Sequence, residues 1–136
     1  MGKYIGLQDD VFSIFNSATW KAEQIKTYPS NFVAVAAGNE FIRVSIIASG
    51  SGLNLKSVSG VLIIDIFTSA GNGPRQASLI ADKLDLYLVG KSVKTNLGYV
   101  TQFSNSSLDV RGLDKDNPSL FRSAYTIPFN YFGVNT

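Results

Sequence analysis

The sequence predicts an α+β domain: a mostly antiparallel sheet with one long helix packed on it and a short N-terminal helix, in the order α-β-β-β-α-β-β. Three observations predict this. Residues 41–48 alternate apolar and polar side chains, with Ile42, Val44, Ile46 and Ala48 on one face and Arg43 and Ser45 on the other, as in a half-buried antiparallel strand. Residues 60–67 are apolar on both faces. Pro74 to Val89 carries Ala77, Ile80, Ala81, Leu84, Tyr87 and Leu88 at the spacing of an amphipathic helix. A length of 136 residues fits one domain, assigned here to residues 1–136.

The elements follow in order. Between Leu7 and Lys26, Val11, Phe12, Ile14 and Phe15 form a short helical stripe, with Asp9 or Asp10 at its N-terminus and Trp20 and Ile25 as an extension. Tyr28-Pro29-Ser30-Asn31 ends it, because proline disfavours helix in the residue before it. Phe32 to Ala36 reads as a short strand, and Gly38-Asn39 as the turn into strand 41–48. Residues 49–60, rich in Gly and Ser, read as a flexible hairpin loop that partly extends the strands on either side. In the next strand Leu62, Ile64 and Ile66 share one face, while Val61, Ile63 and Phe67 share the other with Asp65.

Pro74 suits the first turn of the long helix and Gly90 its stop. Leu79 and Leu86 fall off its apolar face as a second, thinner stripe. Val93 to Phe103 reads as a strand interrupted by Asn96-Leu97-Gly98, and Leu108 to Arg111 as a locally paired segment. Asp114 to Pro118 reads as a surface turn. The last strand places Phe121, Ser123, Tyr125, Ile127, Phe129 and Tyr131 on one face, with Pro128 indicating a sheet edge or a bulge.

Composition removes whole classes of chemistry. The chain has no Cys and no His, so disulfides, thiol nucleophiles, Cys/His zinc sites and Ser-His-Asp triads are excluded. Charged residues make up 16%, against about 25% in ordinary domains, and the net charge is +2. That weak basic bias is no nucleic-acid signature. The N-terminus lacks the apolar run of a signal peptide, and no segment is long and apolar enough to span a bilayer. The expectation is a soluble, intracellularly made protein.

The chemical motifs are incomplete. Gly71-Asn72-Gly73 lies where a dinucleotide-binding turn would lie, but position 76 is Gln and Pro74 removes a phosphate-facing N–H. Asp114, Asp116 and Asn117 lack the Gly and Glu of a calcium loop, and Pro118 interrupts the frame. Asp9-Asp10 reads as a helix N-terminus, and Asp82/Asp85 as an exposed helix face paired with Lys83. No catalytic, cofactor-binding or metal-binding residue is assigned, and no enzymatic activity is expected. Aromatics interleaved with Arg and Lys leave open an OB-like module for single-stranded nucleic acid, although its cations are scattered rather than clustered. The apolar surplus at Val61, Ile63, Phe67, Leu79 and Leu86 favours assembly with other chains, self-association first.

The order of segments resembles the tail terminator (tail completion) proteins of long-tailed phages and prophages. The resemblance rests on the helix around Asp10 to Phe15, Trp20, Tyr28-Pro29-Ser30-Asn31-Phe32, Gly38 to Val44, a Gly-rich loop and Ser59 to Phe67. It continues through Gly71-Asn72-Gly73, Ala81-Asp82-Lys83-Leu84 and Ser123 to Phe129. It implies a virion structural protein that forms a hexameric ring, caps the tail tube, ends its polymerisation and joins the head. The implied partners are further copies of the chain, a tail tube protein and a head completion or neck protein. DNA would cross the bore without sequence-specific binding, and no cofactor or membrane is involved. A related head–tail connector or neck protein is the alternative within the same chemistry. In this frame Val61, Ile63, Phe67, Leu79 and Leu86 are expected at subunit contacts, and Gly50, Ser51, Gly52 and Lys56 in a loop that meets tube or neck.

Overall fold

The computed structural model of the chain describes residues 3–29, 41–51, 58–69, 73–94, 99–113 and 120–133. The expected strand Phe32–Ala36, the Gly38-Asn39 turn, the Asn96-Leu97-Gly98 interruption and the Asp114–Pro118 turn lie outside them, as do Gly52, Lys56, Gly71 and Asn72.

The N-terminal region forms two helices. Helix α1, Lys3–Phe15, buries Leu7, Val11 and Phe15, one residue per turn along a single stripe. It is longer than expected, so Asp9 and Asp10 lie in its body and neither opens it. Ser17 then caps α2, Ala18–Ala22, by accepting the Trp20 N–H at 3.3 Å. Trp20 is 1% exposed, set edge-on between Phe15 and Tyr87, and donates its indole N–H to Thr27 at 3.0 Å. Past α2, Gln24 adopts φ 59°, and the Lys26 carbonyl accepts the Ile42 N–H at 2.8 Å.

The remaining elements are β1 (Thr27–Pro29), β2 (Phe41–Ser51), β3 (Val58–Ser69), α3 (Gly73–Leu88), β4 (Ser92–Val93), β5 (Tyr99–Phe103), β6 (Ser107–Leu113) and β7 (Leu120–Gly133). The α+β class holds, and among the described residues the elements follow as α-α-β-β-β-α-β-β-β-β. The seven strands form one mixed sheet, ordered β1-β2-β3-β7-β5-β4, with β6 also on β7. Among the described residues only β1 and β2 pair in parallel.

Alternation decides which face is covered. Ile42, Val44, Leu62, Ile64, Ile66, Tyr125, Ile127, Phe129 and Tyr131 turn toward the helices and form the core with α1, Trp20 and α3. Helix α3 contributes Ala77, Ile80, Ala81, Leu84 and Leu88, and Gly90 stops it at φ 68°. The register of β2 on β3 shifts between Ala48 and Gly50. At that bulge Gly60 lies so close that a Cβ on it would overlap the Ile47 carbonyl oxygen.

The edge position expected for Pro128 is not observed. β7 is an interior strand, with Pro128 paired to Val61 of β3. On its other side β5 ends at Phe103 opposite Phe129, and β6 begins at Ser107 opposite Thr126. Pro128 therefore faces the break between β5 and β6, where its carbonyl accepts the Ser104 N–H at 3.0 Å. A residue's N–H and C=O point to the same side of a strand, so the missing donor falls at this break and costs no ladder bond.

Candidate functional site

The outward surfaces carry the candidate site, and two of them lie on opposite sides of the molecule. The first is the sheet face turned away from the helices. Register places Phe41 beside Phe67, Arg43 beside Asp65, Ser45 beside Ile63 and Ile47 beside Val61. Phe67 also neighbours Arg122 on β7. The Phe41 and Phe67 rings stack at 4.6 Å, and Tyr28 of β1 meets Phe41 edge-on at 6.0 Å. Two guanidinium groups lie near the Phe67 ring, Arg43 at 5.3 Å and Arg122 at 6.0 Å from its centroid.

Of these two cations only Arg122 is bonded to the neighbouring carboxylate. Asp65 Oδ1 accepts from Arg122 Nε at 3.2 Å and Nη2 at 2.9 Å. Arg43, directly across the strand pair from Asp65, has its Nε buried without a hydrogen-bond partner. A buried unsatisfied donor costs roughly 1–3 kcal/mol, so Arg43 is a hydrogen-bond donor that lacks its acceptor. Below this cluster the same face presents half-buried Val61 and Ile63 and exposed Ile47.

The second surface is the outer stripe of α3. Leu79, Asp82 and Leu86 are spaced at i, i+3 and i+7, away from the buried face of the helix. Leu79 is 43% exposed and Leu86 74%. A third apolar patch, which sequence reading missed, is on β6, where Leu108 and Val110 are exposed on a strand paired only to β7 among the described residues.

The expected interface residues thus separate into two groups. Val61 and Ile63 lie on the sheet face, and Leu79 and Leu86 on the helix face. Phe67 shares the sheet face but is 4% exposed, covered within its own chain. Gly50 and Ser51 belong to the end of β2, and β3 begins at Val58, so strand reaches into both ends of the expected 49–60 loop. The signal for the arginine cluster was present in Arg43 and Asp65 as charges inside otherwise apolar strands; their meeting with Arg122 needed the register.

Acidic residues expected at the surface are partly internal. Asp85 accepts from Tyr125 Oη and Ser106 Oγ, each at 2.6 Å, instead of pairing with Lys83. Lys83 bonds Glu23 of the α2 cap at 3.0 Å. Burial, reinforced by the bond to Asp85, raises the Tyr125 hydroxyl well above the ordinary tyrosine range, which makes it a fixed donor. Among the described residues no group of three or more Asp, Glu, His or Cys could hold a metal ion, and no helix is long and apolar enough to cross a membrane.

No family model and no curated protein matches the sequence. A solved structure superposes with a TM-score of 0.65, covering 98% of this chain and 95% of the other at 12% identity. That likeness is one of fold.

Proposed function

We propose that the chain is a virion assembly protein of the tail-terminator kind: identical subunits close into a ring, expected to be a hexamer, that caps the tail tube and offers its other side to the head or neck. The carrying observation is that a domain with its core already closed keeps apolar side chains on two separate outward surfaces, with Leu86 74% exposed on α3 and Ile47 43% exposed on the sheet. Two unlike patches on opposite sides suit head-to-tail contacts, which close into rings when the rotation allows. The segment order described above supplies the particular assembly; the surfaces supply its chemistry. The part works by fit, and DNA crosses its bore without sequence-specific contact.

Native mass spectrometry of the purified chain tests the reading. A mass six times that of the monomer, and capped tube ends when tube protein is added, are the expected results. A chain that stays monomeric and leaves tube growth unchanged overturns it.

A further inference from the structure

Resting on that self-assembly reading, we infer that Arg43 on the sheet face of one copy binds the Asp82 carboxylate on α3 of the next copy, so that the helix stripe seats on the neighbour's sheet. Both halves of the pair are visible in one chain. Arg43 stacks 5.3 Å from the Phe67 centroid with its Nε buried and unbonded, and its cross-strand carboxylate is taken by Arg122. Asp82 is exposed and has no partner among the described residues. A guanidinium takes a carboxylate through parallel N–H···O bonds, so an arriving Asp can engage the outer N–H groups of the half-buried Arg43, whose charge its own fold leaves without a bonded carboxylate among the described residues.

The flanking residues match as well. Asp82 stands between exposed Leu79 and Leu86 on one helix stripe. Four residues of helix advance about 6 Å and two residues of strand about 7 Å. With Asp82 over Arg43, Leu86 falls on the neighbouring row, where Ile63 is half-buried beside Ser45. Leu79 then falls toward the Phe41–Phe67 row in the other direction. The helix layer and the outer sheet face are on opposite sides of the subunit, so no chain can make this contact with itself and two copies cannot make it symmetrically. Each copy gives one surface and receives the other, which is the geometry of a ring. A nucleic-acid phosphate is a poorer occupant, because the cluster holds two arginines against one aspartate and polyanion affinity needs several unopposed cations.

Charge reversal with reciprocal rescue tests the contact by sedimentation velocity, with thermal unfolding as the check on folding. Asp82→Arg, on the exposed surface, should weaken self-association about tenfold or more. The double variant Arg43→Glu/Asp82→Arg should return it to within about threefold of the parent. Since the chain has no cysteine, a second measurement is independent of charge: Arg43→Cys and Asp82→Cys chains, mixed and oxidised with diamide, should cross-link to each other far more than either does alone. If the parent assembles, Asp82→Arg assembles equally and the mixed cysteines give no extra cross-link, this contact is wrong while self-assembly stands. If the parent stays monomeric at every concentration, the self-assembly reading fails and the contact with it.

Discussion

The Thr101 hydroxyl donates to Asp10 Oδ2 at 2.6 Å, and both residues are fully buried. The bond ties the middle of α1 to β5 across 91 residues of sequence. A carboxylate inside the protein needs such donors, because an unmet one carries its desolvation cost. Thr101→Val, which keeps shape and removes the donor, should therefore lower the unfolding free energy by about 1–3 kcal/mol in a urea titration. An unchanged midpoint would mean that other donors carry Asp10 alone.

Tyr125 and Asp85 make the second internal tie, between β7 and α3. The Tyr125 pKa is raised above its ordinary value of 10.0, so the folded state favours the neutral phenol. The unfolded chain therefore loses this proton first as pH rises. The stabilisation is complete below pH 10 and disappears as pH climbs through the folded value. The parent should thus lose stability between pH 10 and its alkaline limit more steeply than Tyr125→Phe, read as the difference between their pH–Tm curves. Parallel curves would contradict the raised pKa.

Gly60 and the bulge opposite it form a steric pair. A Cβ at this position would run into the Ile47 carbonyl oxygen, which belongs to backbone and cannot swing aside. Gly60→Ala should destabilise the β2–β3 pairing by about 2 kcal/mol or more, measured by thermal unfolding. Gly6→Ala meets the end of the Tyr131 side chain, so its cost should fall when Tyr131 is shortened to Phe. A double-mutant cycle between positions 6 and 131 reads that coupling directly.

Asp65 is 11% exposed at its side chain, while its partner Arg122 is 42% exposed. The ion pair therefore lies between the surface and the buried extremes. Arg122→Ala leaves the carboxylate with less compensation and should cost about 1–2 kcal/mol, decreasing in high salt. A loss that is independent of salt would point to packing of the arginine stem against Phe67.

Leu86 separates stability from assembly. It is 74% exposed, so Leu86→Glu should leave urea unfolding of the monomer within about 0.5 kcal/mol of the parent. The same change should reduce the oligomer fraction seen by sedimentation. A stable variant that still assembles would remove α3 from the interface.

Helix α3 and the apolar faces of β2, β3 and β7 were legible in the chain because they depend on local spacing. Leu62, Ile64 and Ile66 share a face in any strand, and Ala77, Ile80, Ala81 and Leu84 share one in any helix. The candidate surfaces were half legible. Leu79 and Leu86 stood off the core stripe, and both are exposed; Phe67 stood with Val61 and Ile63 on a sheet face, and Phe41 covers it. Leu108 and Val110 gave little warning, since their exposure depends on which side of β7 the chain returns to.

Local periodicity and composition, readable along the chain alone, determine that this protein is an α+β domain without histidine or cysteine chemistry. Tertiary structure decides the partners. It moves Asp10 from a helix end to an internal bond with Thr101, and Asp85 from a helix surface to Tyr125. It also places Pro128 inside the sheet, at a break in the neighbouring strand where no donor is required. The physical reason is common to all three. Side-chain direction follows from neighbours three or four residues away, whereas burial and pairing of a polar group depend on strands brought together from distant parts of the chain.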